Sequence, residues 1–260
     1  MWDWASKISE LESSLSGFVL VTVVNVKGGV PRELGAKMIV VEDGSFFGTV
    51  GGGRLEHISI SMAQSCMKEG SSRLEKFPLG ERTSQCCGGE AHLFFEVLGQ
   101  RPTLYLFGAG HVGQAVCRVL SETPFQIKVI DERKQWSEKI GDCFGIESIC
   151  CDPLDFVEKN ESLLSSPLSY VAIMTHDHAL DEDLVFELSN YSPRFLGLIG
   201  SLSKWDRFKK RLNARGVSKE TLEKVYCPIG LAIGGKTPGE LGISISSQLL
   251  EIFHAGESHE

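Results

Sequence analysis

The chain has 260 residues, 42% of them hydrophobic and 23% charged, with a formal net charge of −8. This composition belongs to an ordinary globular chain and excludes intrinsic disorder, collagen and a disulfide-dense miniprotein. The acidic balance argues against a general nucleic-acid binder, whose affinity comes from neutralising phosphates.

The chain opens with MWDWASKISELESS, which has no apolar h-region, so no secretory signal is expected. No apolar run approaches the roughly 18 residues of a membrane span, and no membrane partner is expected. Eight cysteines without a secretory signal predict reduced thiols and a cytoplasmic protein. No C-x-x-C pair occurs, which argues against a zinc ribbon or a thioredoxin-type site. Two vicinal pairs do occur, Cys86-Cys87 and Cys150-Cys151.

In chain order, residues 3–14 read as a short amphipathic helix. Phe18–Val26 is rich in β-branched residues and predicts a strand. Ala36–Val41 and Ser45–Val50 predict two more, joined by the turn signal Glu42-Asp43-Gly44. Arg54–Lys68 has helical character and Gly70–Ser72 closes it. Leu74–Phe77 and His92–Leu98 follow as strands. Gly99-Gln100-Arg101-Pro102 reads as a linker, which divides the chain into a small α/β domain over 1–99 and a second domain over 103–260.

After the linker the rhythm changes. Strands are expected at Thr103–Phe107, Gln126–Asp131, Tyr170–Thr175 and Phe195–Ile199, with a short one at Ile149–Cys151. Helices are expected at Gly113–Glu122, Leu180–Ser189 and Lys204–Arg215. This alternation predicts a doubly wound parallel sheet covered on both faces, a Rossmann-type fold. Thr237 as N-cap, Pro238 as first helical residue and Glu240 as capping-box partner start a last helix.

Gly108-Ala109-Gly110-His111-Val112-Gly113 follows a strand, opens a helix and fits G-x-G-x-x-G. Its glycines allow a tight turn and let backbone amides approach a pyrophosphate; the bland alternative is a turn that only packs helix on strand. Asp131 ends the next strand near the offset of a ribose-binding acid. Thr175-His176-Asp177-His178 follows a buried strand, where imidazoles and a carboxylate could meet a ligand or relay protons. The alternative is that Asp177 or Asp181 simply starts a helix. Ser201 ends the following strand and is placed to face the crevice, ahead of the basic helix of Lys204, Arg207, Lys209, Lys210 and Arg211.

In the first half, Gly51-Gly52-Gly53-Arg54 runs from strand to helix. Its successive amides could form an anion nest, with Arg54 adding charge, or merely bend the chain. Cys86-Cys87-Gly88-Gly89 is a glycine-flanked thiol pair suited to a soft ligand such as molybdenum, copper or a persulfide sulfur. Cys66 and Cys117 read as inert core thiols.

Taken together these segments resemble the XdhC/CoxI family, accessory proteins of xanthine dehydrogenase and related molybdenum hydroxylases. The resemblance covers nearly the whole chain. It rests on Pro31–Lys37 (PRELGAK), Gly48–Glu56 (GTVGGGRLE), Cys87-Gly88-Gly89, Phe107–Gly113 (FGAGHVG), Asp131-Glu132-Arg133 with Trp136, Thr175–Asp181 (THDHALD), Leu198–Ser201 with Lys204 and Arg207, and Pro228–Leu231 with Thr237-Pro238. Gln248 departs from it, standing where relatives often carry an acid, and Cys86 makes a doublet of the expected single thiol.

The resemblance implies an N-terminal XdhC/CoxI domain and a C-terminal Rossmann domain. It implies a chaperone, not a turnover enzyme, that binds molybdenum cofactor (molybdopterin). Such a protein protects the cofactor during sulfuration by a cysteine desulfurase and delivers it to a xanthine dehydrogenase-type molybdoenzyme. It also implies a homodimer, with Cys87 as the metal ligand. Carried onto the motif residues, the expectation is cofactor held between the domains, Cys87 near molybdenum and the Gly108–Gly113 turn on phosphate.

Two other classes fit the residues. One is an NAD(P)-dependent oxidoreductase, with Asp131 on the ribose and His176 or His178 as acid/base. The other is a nucleotide-sensing regulator without chemistry, since fold does not fix function.

Overall fold

A computed structural model describes residues 3–13, 17–29, 32–79, 89–99, 101–141 and 146–255. The chain divides into two compact units, Met1–Gln100 and Arg101–Glu260.

The first unit starts with α1 (Asp3–Ser13) and β1 (Phe18–Lys27), followed by β2 (Lys37–Val41) and β3 (Phe46–Gly48). After α2 (Gly53–Glu69) come β4 (Arg73–Pro78) and β5 (Glu90–Leu98). The five strands form an antiparallel sheet in the order β3-β2-β1-β5-β4.

β1 reads as a continuous apolar run because both its faces are covered. Val19, Val21 and Val23 pack with Leu55, Ala63 and Cys66 of α2, while Phe18 and Leu20 pack with Leu11 of α1 and Ile39. Gly70 closes α2 in the left-handed conformation, φ 65°, as the sequence anticipates. The third strand is shorter than expected. Gly48 ends it at φ +85°, and a Cβ there would lie 2.5 Å from the Lys37 carbonyl oxygen.

The second unit alternates strands and helices. Its elements are β6 (Thr103–Phe107), α3 (His111–Leu120), β7 (Gln126–Ile130), α4 (Lys134–Gly141), β8 (Glu147–Ile149), α5 (Pro153–Lys159) and α6 (Glu161–Leu164). They continue as β9 (Ser169–Ile173), α7 (His178–Leu188), β10 (Phe195–Leu198), α8 (Leu202–Ala214), α9 (Lys219–Glu223), β11 (Val225–Tyr226) and α10 (Pro238–His254). The six strands lie in the order β11-β10-β9-β6-β7-β8, and every neighbouring pair is parallel. This is the doubly wound Rossmann-type sheet, whose order reverses between β6 and β9.

Period-2 alternation sorts the strand residues between two cores. Tyr105, Phe107, Val171 and Ile173 join Leu184, Trp205 and Phe208 on the face covered by α5, α7 and α8. Leu104, Leu106, Tyr170 and Ala172 join Val116, Leu120, Ile245 and Leu249 on the face covered by α3 and α10. Those last two helices approach closely: a Cβ on Gly242 would lie 2.7 Å from that of Ala115. Among the described residues no helix is long and apolar enough to cross a membrane.

Three helices, α3, α7 and α8, start two residues earlier than the sequence pattern suggests. Gly110 and Asp177 are the N-caps of α3 and α7, so His111 and His178 are first-turn residues. The last helix begins as expected, with the full Thr237–Glu240 capping box.

Candidate functional site

The carboxyl ends of parallel strands frame the ligand crevice of this fold. Here they bring together Gly108 after β6, Asp131 and Glu132 after β7, and Thr175 and His176 after β9. Pro153 and Leu180 complete a shallow cleft whose volume is only about 10 Å³.

The three fingerprint glycines have different physical reasons. Gly108 sits at φ +119°, and a Cβ there would lie 2.3 Å from the Met174 carbonyl oxygen, so it permits β6 and β9 to close at the switch point. A Cβ on Gly113 would lie 2.2 Å from the Gly108 carbonyl oxygen, so it permits α3 to seat on the turn. Gly110 has neither constraint. Its φ of −65° suits any residue, and a Cβ there meets nothing within 4 Å. It faces open space at the amino end of α3, where no side chain caps the helix.

Asp131 is 4% exposed, and both its oxygens are engaged within the chain. Oδ2 accepts the Ala109 amide at 2.7 Å and Arg133 Nη2 at 2.6 Å; Oδ1 accepts the Arg133 amide and Nε, each at 2.9 Å. Burial pushes its carboxyl up, but the Arg133 hydrogen bonds and the Ala109 and Arg133 amides outweigh burial and hold it below the ordinary value. Arg133 lies 5.3 Å from the centroid of the Trp136 ring, and His111 meets the same ring edge-on at 5.1 Å. The carboxylate at the end of β7 therefore ties the fingerprint turn to Arg133.

The remaining residues of the second unit fall into place around a buried network. Thr175 donates to Asp181 Oδ1 from its amide at 3.1 Å and from its hydroxyl at 2.7 Å. Lys204 Nζ donates to Asp181 Oδ2 at 2.7 Å and to the Ile199 carbonyl at 3.2 Å. Burial pushes the nearby Cys227 thiol up to about 11, against the opposing pull of Lys204.

His176 lines the cleft from the loop after β9, which ends at Ile173. Asp177 caps α7 by accepting the Ala179 amide at 2.8 Å, and exposed His178 places Nδ1 3.6 Å from Asp181 Oδ2. Ser201 caps α8 by accepting the Lys204 amide at 3.2 Å. Sequence reasoning placed Asp181 and Lys204 in motifs without seeing that they pair. The signal was a carboxylate and an ammonium each in the first turn of a helix after neighbouring strands.

In the first unit, the turn Gly51-Gly52-Gly53 has φ values of 148°, 74° and 61°. The Gly52 amide donates to Glu56 Oε1 at 3.0 Å, the Gly51 amide to the Thr49 hydroxyl at 3.2 Å, and the Thr49 hydroxyl to Glu56. The expected nest thus holds the protein's own carboxylate, and Arg54 is exposed beside it.

Cys86, Cys87 and Gly88 lie outside the described residues. The frame of their loop is described: the Leu79 amide donates to the Gly89 carbonyl at 2.7 Å, and a Cβ on Gly89 would lie 2.2 Å from the Gly29 carbonyl oxygen. Cys66 and Cys117 are buried, and burial pushes Cys117 up to about 12, as inert core thiols require.

A further pattern escaped the sequence reading. Gly230–Thr237 spells G-x-x-x-x-G-K-T ahead of α10, the phosphate-loop pattern. Its cradle is filled from within, because Glu240 Oε2 accepts the amides of Lys236 and Thr237 and the Thr237 hydroxyl at 3.0, 2.9 and 2.7 Å.

Comparison with known proteins follows the same division. Escherichia coli (strain K12) YqeB, itself uncharacterised, is 29% identical over 95% of this chain, which spans 46% of YqeB's length. The E. coli molybdenum cofactor insertion chaperone PaoD is 22% identical over 91% of this chain and 83% of its own. A Bacillus halodurans crystal structure described as a xanthine dehydrogenase shares the fold with a TM-score of 0.54, at 22% identity over 96% of both chains. Residues 14–78 match the XdhC and CoxI family and residues 104–249 the XdhC Rossmann domain, so the chain belongs to the XdhC family.

Proposed function

We propose that this chain is a cytoplasmic accessory protein of a xanthine dehydrogenase-type molybdenum hydroxylase. It binds molybdenum cofactor, guards it while a cysteine desulfurase supplies sulfur, and passes it to the apo-enzyme, acting as a homodimer without turnover of its own. The observation that carries this reading is the match of both units, over 14–78 and 104–249, to the two XdhC domain families. The name of the relative PaoD, a molybdenum cofactor insertion chaperone, supports it.

The described residues suit the phosphate end of such a cofactor. Gly110 leaves its approach open at the amino end of α3, where main-chain donors favour an anion. Among the described residues no group of three or more His, Cys, Asp or Glu side chains is arranged for a metal ion. The family resemblance assigns metal ligation to Cys87, next to Cys86 in the sequence; a thiolate is the soft donor that molybdenum accepts. When bound, the cofactor supplies the redox-active metal centre of the client enzyme. This chain's residues only hold, shield and release it.

The nicotinamide alternative asks Asp131 to accept a ribose diol. That carboxylate already accepts hydrogen bonds from the Ala109 amide and Arg133, which speaks against it.

The test is copurification under anaerobic conditions from a cofactor-producing host. Cys87→Ala should lose molybdenum while keeping its fold by circular dichroism, and Cys86→Ala should keep most of it. Unchanged molybdenum in Cys87→Ala would overturn the thiolate role.

A further inference from the structure

In a Rossmann-type unit, the end of the second strand chooses between two chemistries. An acid there accepts from a ribose 2′-hydroxyl, and an arginine nearby accommodates a 2′-phosphate. Here the acid is committed elsewhere. Asp131 is buried and its two oxygens accept four hydrogen bonds, one from the Ala109 amide and three from Arg133. A ribose diol would have to displace a charged partner to reach it.

Arg133 is held in one orientation by two independent partners. Its Nε–Nη2 edge is forked onto Asp131, and its Cζ lies over the Trp136 ring, 5.3 Å from the centroid. Its Nη1 has no acceptor among the described residues, and its side chain is 27% exposed. The second edge of the guanidinium is thus fixed and available. A fixed guanidinium edge suits the paired oxygens of a phosphate.

The position is tied to the fingerprint turn by two routes. Asp131 accepts from Ala109, within the turn, and Trp136 meets His111, the first residue of α3. Lys139, 5.7 Å from the Trp136 centroid, adds positive charge, against exposed Glu132.

We propose that the end of β7 reads a phosphate monoester through the free edge of Arg133, and does not read a ribose diol through Asp131. Asp131 is then a positioning residue for Arg133. The carrier is either a nucleotide with a ribose phosphate or the pterin phosphate of molybdenum cofactor. The inference rests on the proposed accessory role only for the second carrier.

The test has two arms. In the first, the purified full chain is titrated calorimetrically with adenosine 2′,5′-bisphosphate and with 5′-AMP. In the second, pterin is released by oxidation from wild type and variants purified from a cofactor-producing host, and quantified by fluorescence. Arg133→Ala removes the guanidinium. Arg133→Lys is its control, because an ammonium keeps the charge beside Asp131 but offers no second edge.

A nucleotide carrier predicts that the bisphosphate binds about tenfold tighter than 5′-AMP and that both variants abolish the difference. A pterin carrier predicts no such preference and a several-fold fall in copurified pterin in both variants, with Arg133→Lys folded like wild type. No bisphosphate preference together with unchanged pterin would overturn the proposal. So would a preference that survives Arg133→Lys. Wild type that carries no pterin at all counts against the accessory role; the proposal then stands or falls by the nucleotide arm alone.

Discussion

Asp181 and Lys204 meet at 2.7 Å, the lysine 9% and the aspartate 1% exposed at the side chain. Each stands in the first turn of the helix that follows one of two neighbouring strands, β9 and β10. Thr175, in the loop after β9, donates twice to the same carboxylate. The pair therefore pins α7 and α8 to the rim of the sheet beside the cleft. Its two surface companions, the ion pairs of Arg211 with Glu182 and of Arg215 with Asp183, continue the same helix contact outward.

Removing one member of this pair should be costly, because the other is left charged and buried. Either single change, Lys204→Met or Asp181→Leu, is expected to destabilise the chain by about 3–5 kcal/mol. The double variant Asp181→Leu/Lys204→Met should lose less than the sum of the single changes, with a coupling of about 2 kcal/mol. Urea unfolding of the four proteins measures it, and simple additivity would deny that the pair acts as a unit.

The fingerprint glycines should separate stability from binding. Gly113→Ala places a methyl 2.2 Å from a backbone oxygen and is expected to cost about 3 kcal/mol or more. Gly110→Ala meets open space at an ordinary φ, so its stability should stay within about 1 kcal/mol of wild type. Its copurified pterin should nevertheless fall. Thermal melts read the first effect and pterin fluorescence the second. Equal destabilisation by both substitutions would remove the argument that Gly110 is there for a ligand.

Much of this was legible in the sequence because local chemistry and tertiary fold agree. The Thr237-Pro238-Glu240 start of α10 was readable from three side chains, since a capping box is local. The strands β6, β7, β9 and β10 announced themselves by buried apolar runs bounded by glycine or polar residues. Asp152-Pro153 carried a start signal for α5, but its seven residues are too few to show a periodic face.

The partners were not legible. Asp131 looked like a ribose acid by spacing, yet Arg133 sits two residues on and the fold closes the fork. The glycines at 51–53 looked like an anion nest, yet Glu56 is one helical turn away and reaches back into it. In both cases a short pattern marks a cradle, and the carboxylate that fills it is set by the tertiary fold.

The acid limb of stability should report Asp131. Its folded-state carboxyl lies below the ordinary value, so its contribution is whole above the ordinary carboxylate range and is lost as pH falls through the folded value. Asp131→Asn is expected to cost about 2 kcal/mol at pH 7, with the gap to wild type closing as pH drops below about 4. Urea midpoints measured from pH 7 downward test the sign. A gap that widens on acidification would contradict it.

Gln248 has a partner inside the second unit. Its Oε1 accepts the Gly230 amide at 2.7 Å from a buried position on α10. Gln248→Glu keeps an acceptor there and should fold. Gln248→Leu leaves a donor without its partner and is expected to cost about 1–3 kcal/mol. Calorimetric melts of the two variants side by side decide it, and equal losses would mean that side-chain shape matters more than the acceptor.

The accessory role requires that this chain carry molybdenum cofactor. It is tested most directly by metal and pterin analysis of the wild-type protein, purified without oxygen from a host that makes the cofactor. Molybdenum and pterin are expected in equal molar amounts, both transferred to apo-hydroxylase on mixing. Protein that holds neither above background, from a host whose hydroxylases are loaded, would contradict it.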